Sequence, residues 1–314
     1  MSTYLVTGGA GFIGSHLVDE LVRLGHSVKV LDNLATGRLV NIEHQRDKTE
    51  FIEADIRDYD ACRNACDGVD YVLHQAALGS VPRSIEDPLT SHDVNVTGTV
   101  NMLRAASEAG VKRFVYASSS AVYGDHPGLP KIEEEIGRQL SPYAVTKYTD
   151  ELYAGVFHKN YGLQTVGLRY FNVFGPRQDP GSAYAAVIPL FVSALMEKKS
   201  PRIHGDGEQS RDFTYVVNVV QANLLAAVAP ETVAGEVFNV ACHDRITVNT
   251  LFGRIQFLLE SDTAAEYGPE RAGDIRHSFA TIDKAKRLLG YRGEISFEEG
   301  LKRSIDWYRA NLSS

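Results

Sequence analysis

Cysteine is scarce: the 314 residues hold three, Cys62, Cys66 and Cys242. An odd and sparse set argues against a disulfide framework and fits a reducing cytosol, so a cytoplasmic location is the expectation. Cys62 and Cys66 would be helix neighbours, but no further Cys or His pair stands nearby, and no metal site is expected. Positive charge is short as well. Against 40 acidic residues stand 32 Lys and Arg, a net charge of −8. Such a field repels polyanions, so neither nucleic acid nor a membrane is an expected partner, and an anionic ligand would need a local cluster of arginines. No long apolar run and no basic leader precede "TYLVTGG", and neither a span nor a signal peptide is expected. The remainder is ordinary globular composition, 44% hydrophobic and 23% charged, with chain enough for one large domain or two modest ones.

What is present is alternation. "YLVT" (4–7), "VKVLD" (28–32), "FIEAD" (51–55), "YVLH" (71–74), "RFVYAS" (113–118) and "TVGLRY" (165–170) read as buried strands. Amphipathic stretches lie between them, such as Ser15–Leu24 with Leu17, Val18, Leu21 and Val22 on one face and Gly25 as a stop. Strand and helix in alternation predict an α/β fold, a Rossmann-type parallel sheet with helices on both faces. After residue 170 the pattern breaks. "FNVFGPRQDPGSAY" (171–184) reads as a long ordered functional loop, followed by helices at about 185–198, 216–228, 247–260 and 297–311 mixed with short strands. No linker is visible, so a smaller C-terminal α/β lobe packed on the first is expected.

"TGGAGFIGS" follows the first strand and opens the first helix. Gly9-x-Gly11-x-x-Gly14, with Gly8 before it, supplies a tight turn, a backbone without Cβ for a pyrophosphate, and a helix N-terminus aimed at that anion. Asp32 ends the second strand, where a carboxylate accepts from ribose hydroxyls and repels a 2′-phosphate, which favours NAD over NADP. Arg38 stands close by and keeps NADP open. Further on, "SPYAVTK" (141–147) sets Tyr143 four residues before Lys147. On a helix the two share a face, and a cation near a phenol favours the phenolate, so the pair could be an acid/base device. Alone, the spacing also fits a solvated helix surface.

Seven motifs change that balance. "GGAGFIG", "HQAA", "SSSAVYG", "YAVTK", "LRYFNVFGPRQDP", "GDGEQSRDF" and "RAGD", in this order over nearly the whole chain, resemble the extended short-chain dehydrogenases/reductases and, within them, the nucleotide-sugar 4-epimerases. "HQAALGSVPRSIEDP" and "FGPRQDP" look closest to the UDP-N-acetylglucosamine 4-epimerases. The resemblance implies an NAD-binding domain over 1–171, with returning segments near 213–241, and a nucleotide-sugar lobe made of 172–212 and 242–314. It implies Ser119, Tyr143 and Lys147 as the catalytic set. Around NAD it implies Gly8, Gly11, Phe12, Ile13, Gly14, Asp32, Asn33, Asp55, Ile56, Gln75, Ala76, Ala77, Asn95 and Tyr170, besides Tyr143 and Lys147.

The same scaffold also supports dehydration and decarboxylation, so the fold does not name the reaction. Dehydratases of this kind carry an Asp-Glu pair at the positions of Ser120 and Ala121, and decarboxylases a Glu at the latter. Ala121 has no proton to give or take, which leaves epimerisation. The resemblance implies transient oxidation to a 4-keto sugar, rotation, and reduction on the other face, Tyr143 taking and returning the O4 proton.

Rotation requires an anchor elsewhere. Arg211 and Arg271 match positions that grip the diphosphate, a task for which a planar guanidinium fork is suited, and Asn172 matches a contact in the same region. Their alternative reading is a surface pairing with Asp212 and Asp274. Gly79, Ser80, Ser119, Ser120, Gln178, Ala186, Val187 and Ser278 complete the expected substrate contacts, and Arg177 could also face the sugar. Ser278 stands where epimerases restricted to plain hexoses carry a tyrosine; a small side chain leaves volume for an acetamido group. His74 reads as structural. UDP-GlcNAc/UDP-GalNAc is therefore the expected pair, with UDP-Glc/UDP-Gal also accepted. A UDP-glucuronate 4-epimerase and a non-catalytic NAD-binding regulator remain alternatives. The family also implies a homodimer through helices at about 95–109 and 142–160.

Overall fold

The computed structural model describes residues 1–181, 185–270 and 276–312. β1 (Thr3–Thr7) leads into α1 (Phe12–Arg23), followed by β2 (Ser27–Asp32), β3 (Thr49–Glu53), α2 (Tyr59–Cys66) and β4 (Tyr71–His74). The short α3 (Val81–Glu86) and α4 (Pro88–His92) pass through a π turn (Asp93–Thr97) into α5 (Gly98–Glu108). Then come β5 (Arg113–Ser119), α6 (Pro142–Tyr161) and β6 (Thr165–Tyr170). The second half holds β7 (Val173–Phe174), α7 (Val187–Met196), β8 (Arg202–His204), β9 (Ser210–Arg211), β10 (Thr214–Tyr215) and α8 (Val216–Val228). β11 (Val237–Val240), β12 (Ile246–Thr247), α9 (Val248–Leu259), β13 (Glu266–Gly268), α10 (Asp283–Leu289) and α11 (Phe297–Leu312) complete it.

Seven strands form one sheet in the order β3-β2-β1-β4-β5-β6-β11, and every pairing in it is parallel. Helices cover both faces, which is why all six residues of β6 are buried and none of the central strands reads as polar on one side. The order reverses between β1 and β4, so a crevice opens there at the carboxyl edge of the sheet. Beyond the sheet, β7 pairs with β10, β9 with β12 and β8 with β13. These two- and three-residue strands surround an aromatic core in which Phe174 meets Phe213, and Phe191 meets Phe252, edge to face.

The strand expected at 51–55 and the start of the first helix differ from expectation by two residues or more, each for a physical reason. The strand expected at 51–55 spans Thr49–Glu53, because Glu53 pairs with Asp32 and both strands stop together. Asp55 therefore lies on the loop beyond. The first helix starts at Phe12 instead of Ser15. Its first turn lines the crevice while Phe12 and Ile13 also pack against the core, so it stands outside the single apolar face formed by Leu17, Val18 and Leu21.

One ion pair fixes the helix that matters most. Arg169 of β6 donates to Glu151 of α6 through Nε (2.9 Å) and Nη2 (2.8 Å), and through Nη1 to the Glu133 carbonyl (2.8 Å). Ser118 Oγ donates to the same carboxylate at 2.5 Å, and both ionic side chains are almost wholly buried. Breaking such a pair leaves an uncompensated buried charge, at about 3–5 kcal/mol. Arg169→Leu is accordingly expected to lose about that much in urea unfolding; a midpoint unchanged from wild type would show that the pair does not hold α6 in place.

Candidate active site

The crevice at the carboxyl edge is a cavity of about 630 Å³. Its floor is the loop from Gly8 to Gly14, whose geometry only glycine satisfies. Gly8 has φ +68°, and a Cβ there would lie 2.8 Å from the Ala76 nitrogen; at Gly14 it would lie 2.1 Å from the Gly8 carbonyl oxygen. Gly11 caps α1 without any side-chain bond, so the first-turn N–H groups and the positive end of a twelve-residue helix are offered to an anion. These features fit a dinucleotide pyrophosphate.

Asp32 closes the next side. Its carboxylate accepts from the Ala10 N–H (3.0 Å) and the Leu34 N–H (2.8 Å), and burial raises it above the usual carboxylate range, offset in part by those two bonds. It thus braces the glycine loop as well as lining the cavity. Arg38 turns elsewhere, its Nη2 2.5 Å from Asp179. Asn33 donates to Asp55 (2.7 Å), whose carboxyl is held down to about 2, chiefly by the Arg57 guanidinium. Asn33, Asp55, Ile56, Ala76, Ala77 and Gln75 all line the cavity. Gln75 accepts from the Tyr170 hydroxyl (3.1 Å) and donates to Asn223 (3.1 Å), and Asn223 donates to Tyr170 (2.8 Å).

Ser119, Ser120, Tyr143 and Lys147 line the same cavity. Ser119 ends β5 opposite Tyr170. Ser141 caps α6 by accepting from the Ala144 N–H, and Pro142 occupies the first turn, the two residue types that best start a helix. Tyr143 then comes one turn before Lys147. Its own N–H donates to Ser84 Oγ of α3 (3.0 Å). The Lys147 ammonium donates to the Ala117 carbonyl (3.1 Å) and the Asp150 carboxylate (3.2 Å).

Asn172 also lines a second cavity of about 450 Å³, shared with Val187, Leu190, Phe191, Arg211, Phe213 and Val248. The residue takes φ +33° and donates to the Asp212 carbonyl (3.3 Å). The two cavities therefore meet at this side chain. Gln178 lines the first cavity, donating through Nε2 to the Val173 carbonyl (3.2 Å) while its buried Oε1 has no partner among the described residues.

Other expected residues stand elsewhere. Asn95 is fully buried behind the wall, bonded to Leu78 N–H (2.7 Å) and to Thr146 Oγ1 (3.0 Å), and so supports the 78–79 loop without reaching the cavity. Ser80 accepts from the Arg83 N–H as the cap of α3 and lines neither cavity. Ala186 and Ser278 line neither either; the Ser278 N–H donates to the Ser210 carbonyl (3.0 Å), next to Arg211. Arg177 points away to α1, its Nη2 2.7 Å from Asp19. Arg271 and Asp274 lie outside the described residues. Asp212 turns inward to the N–H groups of Cys242 and Ala280, and burial pushes it up to about 7. His74 is buried between the Thr7 and Thr99 hydroxyls and pushed down to about 3 by desolvation. Cys62 and Cys66 are buried thiols, and no metal-holding group exists among the described residues. No described helix is long and apolar enough to cross a membrane.

Sequence reading missed Ser84, Asn223 and Asp150. The first two reach the site from segments 59 residues before Tyr143 and 148 after Gln75, with no local signal. Asp150 had one: it stands three residues after Lys147, on the same helix face.

A family model described as "NAD dependent epimerase/dehydratase family" matches residues 4–241. The chain belongs to this family. NAD is the cofactor of this family, and the glycine loop fits its pyrophosphate. A UDP-N-acetylglucosamine 4-epimerase from Methanobrevibacter ruminantium M1, solved with UDP-N-acetylmuramic acid, superimposes with a TM-score of 0.94 at 43% identity over 98% of both chains. A UDP-glucose 4-epimerase from Thermotoga maritima, solved with UDP-glucose, gives 0.94 at 38% identity over 99% of both. A UDP-glucuronate 4-epimerase from Thermodesulfobacterium geofontis is 34% identical over 323 residues, 99% of this chain and 98% of its own.

The cradle makes a direct prediction. Gly14→Ala should abolish NAD copurification, measured by nucleotide released on denaturation, while the fold melts cooperatively; retention of NAD at the wild-type level would show that the loop is not the pyrophosphate seat.

Proposed function

We propose that this protein interconverts the C4 epimers of a UDP-hexose, with UDP-GlcNAc and UDP-GalNAc as the preferred pair and UDP-Glc and UDP-Gal as further substrates. The observation that carries the reading is that Ser119, Tyr143 and Lys147 share one cavity with the dinucleotide cradle, while the neighbouring Ala121 has no acid–base group. When bound, NAD supplies the oxidation and re-reduction of the sugar carbon.

The chain's own residues do the remainder. Tyr143 removes the 4-hydroxyl proton and later returns it. Lys147, held by the Ala117 carbonyl, favours the phenolate. Ser119 holds the sugar hydroxyl; its Oγ already accepts from the Ala121 N–H (3.1 Å), which leaves its proton free to donate. The units divide the labour: 1–171 with 213–241 hold the cofactor, and 172–212 with 242–314 anchor the nucleotide. Arg211 and Val187, at the second cavity, are the anchoring contacts, so that the sugar can turn within the first while the diphosphate stays fixed.

The acetamido reading is supported by Gln178. Its amide lines the cavity wall, and a rotation of that side chain would turn Oε1, which has no partner among the described residues, toward an acetamido N–H. Gly79 adds open space on the same wall.

Purified protein without added cofactor should convert UDP-GlcNAc faster than UDP-Glc, and Tyr143→Phe should lower kcat by at least about two orders of magnitude. Turnover of UDP-GlcA but not UDP-GlcNAc, followed by product separation, would put a uronate in the pocket instead. Turnover of none would leave an NAD-binding regulator.

We also infer a homodimer built on α5 and α6. The support is an apolar stripe on α6, where Val145, Leu152, Tyr153 and Val156 are exposed at helical spacing, Leu152 by 54%. Leu152→Lys should sediment as a monomer; a wild type that itself sediments as a monomer would refute the inference.

A further inference from the structure

Lys147 reaches the cavity with a carboxylate behind it. Its ammonium is 3.2 Å from Asp150 Oδ2, and the two side chains are 3% and 1% exposed. For Lys147 to act on Tyr143 it must do so as a positive charge. A carboxylate in contact with that ammonium, away from water, cancels much of the field it casts. Asp150 Oδ1 has no partner by strict hydrogen-bond geometry among the described residues, although the Thr99 hydroxyl stands close enough to favour the carboxylate.

The surroundings leave the pair isolated. From α6 itself the charged neighbours are Lys147 and Glu151. Glu151 is taken up by Arg169 of β6 and by Ser118. β5 presents the Tyr116 phenol, raised well above its ordinary value by burial and by both acids. β4 presents His74, neutral between two threonine hydroxyls, and α5 presents Thr99. Burial pushes the Asp150 carboxyl up to about 6 against the pull of Lys147. Among these neighbours, the cation that touches Asp150 is Lys147.

We propose that Asp150 is a positioning residue which, by balancing the charge of Lys147, sets the pH at which Tyr143 can serve as the base; this rests on the acid–base reading of Tyr143 above. With Asp150 ionised the pair is close to neutral, Lys147 is held in one orientation, and Tyr143 keeps its proton to higher pH. Removing the carboxylate charge unmasks Lys147 and favours the phenolate. Asp150 lies seven residues along α6 from Tyr143, about 10 Å of helix rise. At an effective dielectric of about 20, a unit charge at that distance shifts a titration by about one pH unit.

The test is a tyrosinate-absorbance titration of the NAD-loaded protein as wild type and Asp150→Asn, each paired with its Tyr143→Phe counterpart so that the Tyr143 component is obtained by difference. The expected result is a midpoint about one unit lower in Asp150→Asn, a parallel move of the acid limb of kcat/KM, and a wild-type midpoint in Asp150→Glu, which restores the charge. Coincident midpoints in wild type and Asp150→Asn, with a change only in melting temperature, would reduce Asp150 to a structural role and overturn the proposal. So would a Tyr143 component absent from both titrations. Should Asp150→Asn fail to fold, Asp150→Ser removes the same charge and gives the same comparison. The absorbance needs no substrate, so the outcome is readable even if no UDP-sugar is turned over and the epimerase reading falls.

Discussion

The Arg169–Glu151 ion pair is the constraint on which the site depends. It joins the last strand of the crevice to the helix that carries Tyr143 and Lys147, and through Ser118 it also grips the strand that ends in Ser119. Three successive elements, β5, α6 and β6, are thereby locked in register by one desolvated carboxylate. An ion pair of this kind often contributes little net stability compared with apolar packing. What it does here is geometric. A sliding of α6 by one residue would rotate Tyr143 by about 100° and take it out of the cavity.

The second organising feature is Asn172. A left-handed backbone conformation at a residue that is not glycine costs of order 1 kcal/mol or more and is kept where its surroundings over-determine it. At Asn172 they do: β7 begins at the next residue and pairs with β10, and the Asn172 side chain donates to the Asp212 carbonyl. The bend turns the chain out of the main sheet and into the β7–β10 pair, and it leaves one side chain lining both cavities. The crevice and the smaller cavity beside it are thus joined at the residue where the chain leaves the main sheet.

How much of this was legible in the sequence follows from the range of each cause. The sheet was legible because buried parallel strands are short apolar runs and the helices between them are periodic; "YVLH" and "TVGLRY" match β4 and β6 to the residue. The glycine loop and the start of α6 were legible because turns and caps are local chemistry. The end of β3 was not, since it is set by its partner strand. Arg177 was misdirected for a related reason. Its sequence neighbours suggested a sugar contact, whereas the positive φ at Arg177 turns the side chain to Asp19, 158 residues away in sequence. Asn95 and Gln75 illustrate the same limit: which of two polar residues faces a cavity and which supports its wall is decided by helices packed from behind.

Charge accounts for the division between what the fold holds fixed and what it leaves adjustable. The cations lining the first cavity include Arg57, Arg83 and Lys147, and two of them are committed to acids, Arg57 to Asp55 and Asp93, Lys147 to Asp150. A protein of net charge −8 that receives a dinucleotide must hold its phosphates without much free positive charge. The uncapped N–H groups at α1 are suited to this, being neutral, fixed and in need of no counterion. Backbone geometry of this kind depends on the glycines that permit it, since a Cβ at Gly14 would lie 2.1 Å from the Gly8 carbonyl oxygen. The Lys147–Asp150 pair behind Tyr143 is of the other kind: a desolvated charge balance that a single side chain can move.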